Sequence, residues 1–310
     1  METATPEALY AGIRKHYRES DRLPEADVRA FSNRIKMEFT RMAAFSTRKS
    51  LQPDAIRAVD RIIGTAEKRD MFPVRLEGAE QLRDCDLILG NHQGPSGAGK
   101  RQGGLETIFS WKMLPMGVRF VMKDELLKLS WNIKNLIRAL VFRRMDPIAV
   151  HRPEKKEVAS ERERAKLLLE ERRRVFRQVF DTIDGETGEP APVFLYPEGT
   201  RSSDGSILPF MRDLFDTALD GYVLPRMQRS EEPKIGLLVA DTLQVVPEGC
   251  GGDAPMYRRP LTMRGVRYDP TGLATRLKGC ETPLQKRQLG KWFCEDVRSH
   301  MQRELADILS

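Results

Sequence analysis

Residues 193–202 read Val193-Phe194-Leu195-Tyr196-Pro197-Glu198-Gly199-Thr200-Arg201-Ser202. Val193 to Tyr196 is apolar and β-prone, which predicts a buried strand. Pro197 breaks that strand and Gly199 turns the chain. Glu198, Thr200 and Arg201 are therefore expected together at the strand's carboxyl end, where open α/β sheets bind their ligands. The planar donor fork of Arg201 suits phosphate, and the Thr200 hydroxyl with turn amides around Gly199 can complete such a site. The competing reading is a strand followed by a solvated polar turn with a surface ion pair.

Working upstream, Glu154 to Asp184 reads as one long charged helix with Leu168, Val175, Phe176, Val179 and Ile183 as its apolar stripe. Its Glu/Arg mixture is a solvated face with local ion pairs. Arg172-Arg173-Arg174 is weak as a nucleic-acid site, because Glu170 and Glu171 offset it, and no nucleic-acid partner is expected. A helix followed by a strand suits a crossover onto an α/β sheet. Further upstream, Val74-Arg75-Leu76 alternates like a short strand closed by Gly78. Asp86 to Gly90 is a second strand that delivers Asn91-His92-Gln93 at its end. A lone strand-end histidine is often structural. An imidazole, with an ordinary pKa of about 6.5, can also serve as a general base near neutral pH.

Gly94-Pro95-Ser96-Gly97-Ala98-Gly99-Lys100 satisfies a phosphate-binding loop pattern through its lysine, and Leu237 to Asp241 passes as the accompanying strand and acid. That nucleotide reading is weakened by Arg101 at the hydroxyl position, by Gln102-Gly103-Gly104 where a helix should start, and by the residues between strand and glycines. The segment from Trp111 to Arg144 carries eight Lys/Arg against two acids and two of the three tryptophans. Read as one amphipathic element, it suits either an anionic membrane interface or a core-facing helix with a basic outer face.

Residues 1–72 read as an N-terminal helical segment and residues 73–310 as an α/β domain, with a mixed sheet flanked by helices. Downstream of the opening stretch, Leu214 to Leu219 is a short helix and Ile235 to Ala240 a buried strand. Residues 249–272 form loops with at most an edge strand, and Gln285 to Leu309 is a closing amphipathic helix. The 310 residues carry a formal charge of +7, which favours anionic partners. No apolar run reaches the roughly 18 residues of a membrane span, and the amino terminus lacks the pattern of a secretory signal. Cys85, Cys250, Cys280 and Cys294 are scattered, without metal-ligand spacing, as in a reduced cytosolic protein.

Three blocks, in order over about residues 74–225, resemble the glycerolipid acyltransferase family, whose best-known members are 1-acylglycerol-3-phosphate acyltransferases. Glu198-Gly199-Thr200-Arg201 resembles the family's glutamate-glycine-threonine-arginine motif, with Leu208 to Arg212 like the step after it. Val74 to Gln93 resembles the two strands leading into the asparagine-histidine motif. Lys123-Asp124-Glu125-Leu126 through Phe142-Arg143-Arg144 is similar to the second block. By this resemblance His92 is the general base. Glu198, Gly199, Thr200, Arg201 and one of Arg143 or Arg144 hold the acceptor phosphate. In the family an aspartate five residues after the histidine orients the ring. Here that position is Gly97, and the next acid is Glu106, where the likeness resumes. Either an insertion moves the orienting acid to Glu106, or the partner is lost and the chain is an impaired, lipid-binding relative.

The resemblance further implies transfer of an acyl group from acyl-CoA or acyl carrier protein to glycerol phosphate or a lysophospholipid, 1-acylglycerol-3-phosphate foremost. It implies no metal or bound cofactor, and a cytoplasmic protein held peripherally at an anionic membrane surface. The family's following strand, with its proline-valine step, is expected at Tyr222 to Pro225 or Val245 to Pro247.

Overall fold

The computed structural model describes residues 5–93, 105–129, 131–151, 160–202, 204–246, 255–277 and 282–310. Seven strands form one mixed sheet: β1 (Val74–Glu77), β2 (Leu87–Gly90), β3 (Arg119–Lys123), β4 (Ile148–Val150), β5 (Val193–Leu195), β6 (Ile235–Asp241) and β7 (Leu261–Arg267). Their order is β1-β7-β6-β2-β5-β3-β4. β6, β2, β5, β3 and β4 run parallel, and β7 runs antiparallel to β6. In register, Leu87, Ile88 and Leu89 of β2 face Val193, Phe194 and Leu195 of β5.

Helices cover both faces, so the central strands bury side chains on both sides, as parallel strands require. On one face lie α2 (Glu25–Phe45), α3 (Leu51–Lys68), the short α4 (Ala79–Leu82), α5 (Leu105–Met113) and α6 (Ile133–Arg144), packed on Ile88, Phe194, Leu238 and Ala240. On the other lie α1 (Pro6–Lys15), α7 (Glu161–Asp184), α8 (Arg212–Ala218), α10 (Thr271–Leu277) and α11 (Pro283–Leu309). These pack on Leu87, Leu89, Val193, Leu195, Leu237 and Val239. A π-turn over Leu219–Val223 joins α8 to α9 (Leu224–Gln228).

Local signals set the helix ends. Thr5 and Ser160 accept backbone N–H groups at the starts of α1 and α7, and Thr282 with Gln285 forms a reciprocal capping box at α11. The described part of the long charged helix thus begins at Glu161, behind the Ser160 cap.

Three expectations need correction. Trp111 to Arg144 is not one amphipathic element: α5 ends at Met113, β3 follows, Asp124–Leu127 is a 3₁₀ turn, and α6 starts at Ile133. Leu261–Arg267 is not an edge strand but lies between β1 and β6, its outer side covered by β1. Tyr222 to Pro225 is helical and Val245-Val246 lies past β6, so the strand after the opening stretch is β6 itself. No helix among the described residues is long and apolar enough to cross a membrane.

Candidate active site

β2 leaves the sheet towards α5 on one face, while its neighbour β5 leaves towards α8 on the other. The carboxyl ends of β2 and β5 therefore flank the kind of crevice in which open α/β sheets bind ligands. The two strand ends continue in step. The Ser202 N–H donates to the His92 carbonyl at 2.8 Å, and Gln93 and Ser202 form a parallel bridge.

The turn after β5 closes through the Gly199 N–H on the Tyr196 carbonyl at 3.1 Å, with Pro197 at its first central position. Gly199 has φ of +66°, left-handed space that favours glycine. Glu198 is buried, and burial pushes its carboxyl up to about 7. Its Oε1 accepts the His92 backbone N–H and its Oε2 the Leu208 N–H, each at 2.9 Å.

His92 Nδ1 lies 3.0 Å from Oε1 of Glu106, in the first turn of α5 and almost fully buried. On the far side of the ring, Arg201 Nε donates to His92 Nε2 at 3.0 Å. A donor on Nε2 leaves the proton on Nδ1, which donates to Glu106. Burial lowers the imidazole pKa; Glu106 raises it in part, and the charges of Arg201 and Lys123 lower it further. The ring is thus neutral near pH 7. Tyr196 stacks on it with centroids 4.0 Å apart, and its hydroxyl lies 3.1 Å from Thr107 Oγ1. Gly90 makes room for this stack: a Cβ there would meet the Phe194 ring at 2.7 Å and Tyr196 at 3.3 Å.

Beneath the site, the Asn91 amide bonds both the N–H and the carbonyl of Ala240 on β6. Gln93 accepts the Thr242 N–H and donates to the Tyr10 hydroxyl, which in turn donates to Asp241 at 2.6 Å. Gln244 donates to the other Asp241 oxygen. The carboxylate that the nucleotide reading would assign to magnesium is therefore buried and held by Tyr10 and Gln244. The glycine loop of that reading, Gly94 to Lys100, lies outside the described residues.

His92, Glu106, Glu198, Gly199 and Arg201 thus come together, with Thr200 exposed beside Arg201. Arg143 and Arg144 have other partners. Arg143 Nε donates to the Leu127 carbonyl at 2.6 Å, and Arg144 donates to the Met42 and Ala43 carbonyls at the end of α2. Lys123 and Tyr196 went unassigned in the sequence. Lys123 ends β3 at the same edge of the sheet, and it becomes visible only once β3 is recognised. Chemically, the arrangement is a neutral imidazole oriented by a carboxylate beside two cations.

Residues 74–228 match the family model described as Acyltransferase, and the chain belongs to that family, the glycerolipid acyltransferases. Among solved structures it is similar to PlsC, the 1-acyl-sn-glycerophosphate (LPA) acyltransferase from Thermotoga maritima. The identity is 14%, the TM-score 0.49, and the match covers 97% of this chain and 94% of that one. No curated protein matches the chain.

Proposed function

We propose that the chain is an O-acyltransferase moving a fatty acyl group from acyl-CoA or acyl carrier protein to a hydroxyl of a glycerol phosphate or lysophospholipid. The leading acceptor is 1-acylglycerol-3-phosphate. The observation that carries this reading is the Glu106–His92 pair beside Arg201 at the carboxyl end of β2. His92 Nε2 takes the proton of the acceptor hydroxyl as its oxygen bonds to the thioester carbonyl carbon. Glu106 steadies the imidazolium. The C–S bond then breaks, and the imidazolium returns the proton to the departing thiolate, leaving an ester and a thiol.

Arg201, with the charge of Lys123 and the hydroxyl of Thr200, receives the acceptor phosphate. Exposed Arg143 can reach an anion more readily than Arg144, whose guanidinium caps α2. Glu198 acts through the backbone it holds. Peripheral membrane association is supported by Leu129, Trp131 and Ile133, which are 54%, 106% and 69% exposed. They lie between Lys128 and Lys134, just after Lys123 at the site's edge, a pattern that suits an anionic lipid interface.

The test is thiol release from a panel of acyl-CoA and acyl-carrier thioesters, each with glycerol 3-phosphate and with lysophosphatidic acid. Acceptor-dependent release supports the reading. No release with any pairing contradicts it.

A further inference from the structure

A base must offer its lone pair to the hydroxyl it deprotonates. Nδ1 of His92 is committed to Glu106, so the lone pair in question is on Nε2. In the structure that lone pair is occupied by the Nε–H of Arg201. Among the described residues Arg201 forms no ion pair, and its one hydrogen bond is to the imidazole. A guanidinium so placed has a neutral acceptor, where a dianionic phosphate would pair with its charge and can accept two parallel N–H bonds from its fork. Phosphate and imidazole thus compete for the same cation.

We propose that Arg201 masks the His92 base through this hydrogen bond and that the acceptor's phosphate unmasks it by drawing the guanidinium away from His92 Nε2. This rests on the acyl-transfer reading above and deepens it. The phosphate then selects the acceptor twice, by binding and by releasing the base. Water and unphosphorylated alcohols meet a blocked imidazole, so the thioester is spared wasteful hydrolysis. No chemistry is added: the proton still passes from acceptor hydroxyl to Nε2 and on to the thiolate, and only the position of Arg201 changes.

The groups around the ring are Glu106 from α5, Arg201 and Glu198 from the turn after β5, Tyr196 from its end, and Lys123 from β3. The probe is phosphite dianion, which carries the charge of the acceptor's phosphate without its hydroxyl. Two measurements are made on wild type and Arg201→Ala. The first is NMR titration of the imidazoles; with four histidines in the chain, His92 is assignable by loss of its signal in His92→Ala. Phosphite should raise the His92 pKa in wild type and leave it unmoved in Arg201→Ala, where it starts higher. The second is acyl transfer to glycerol. Phosphite should accelerate the wild type about tenfold, the scale of one hydrogen bond to a charged group. Arg201→Ala should be faster than wild type on glycerol without phosphite, and insensitive to it.

If Arg201 only binds phosphate, the variant loses rate on phosphorylated acceptors and gains nothing on glycerol, which overturns the mask. An unchanged His92 titration in both proteins overturns it as well, even if no acceptor is ever turned over. Transfer failing with every acceptor while the His92 shift appears would sink the acyl-transfer reading and leave the Arg201 contact standing.

Discussion

Glu198, three residues past β5, accepts on Oε1 the backbone N–H of His92, two residues past β2, at 2.9 Å. Its other oxygen takes the Leu208 N–H, so one buried carboxylate ties both strand-end loops together. Replacing it with alanine strands two part-buried donors, at about 1–3 kcal/mol each at most. Urea unfolding of Glu198→Ala should show a loss of at least about 1 and at most about 6 kcal/mol.

The same group makes a signed pH prediction. Its pKa in the fold is raised to about 7 by burial, above the unfolded value. Its contribution is therefore fully present below the unfolded pKa and is lost as pH rises through about 7. The stability advantage of wild type over Glu198→Gln should shrink steadily between pH 5 and pH 7.5. A constant difference would mean that Glu198 does not titrate in this window.

Tyr10 of α1 donates to Asp241, whose carboxyl burial has pushed up to about 6 while the tyrosine bond pulls it down. Tyr10→Phe removes a donor that the ionised carboxylate needs most, at about 1–3 kcal/mol. Asp241 is ionised above its folded pKa, so the penalty should be larger at pH 8 than at pH 5. Equal losses at both would indicate lost packing alone.

Glu106 raises the His92 pKa against the burial that lowers it. Glu106→Gln keeps an acceptor for Nδ1–H but removes the charge. The acid limb of the rate profile should move to lower pH, and the rate should fall on the order of 10- to 100-fold, less than removal of a general base. A limb that moves upward would contradict the pairing.

Gly90→Ala puts a methyl group against the Phe194 ring and displaces Tyr196 from the imidazole. Such overpacking costs about 1–3 kcal/mol. Thermal unfolding should show the loss, and the acyl-transfer rate should fall in the same variant.

Much of this architecture could be read from the chain. β2 and β5 are short apolar runs ended by Gly90 and Pro197, and β6 is an apolar run ended by Asp241; a strand buried on both faces has that apolar pattern. The placement of Glu198 and Arg201 at a strand end followed from Pro197 and Gly199. β3 was hidden because Arg119 and Lys123 bracket three apolar residues within a basic segment, where helical and strand periods coincide over so few positions. The interior position of β7 depends on its pairing with β1 and β6, which no local pattern encodes. The Asn91, Gln93, Tyr10 and Asp241 network joins residues up to 231 positions apart. Arg144 carries the same side chain as Arg143, and only the packing of α6 on α2 sends it to the Met42 and Ala43 carbonyls.

The central claim is that His92 carries the proton of the acceptor hydroxyl. The most direct measurement is single-turnover acyl transfer from a thioester to a phosphate-bearing acceptor, comparing wild type with His92→Ala at matched folded content by circular dichroism. A loss of roughly 10²–10⁴-fold with the fold intact is predicted, the contribution of a positioned general base. Wild-type rates in a folded His92→Ala protein would contradict the account.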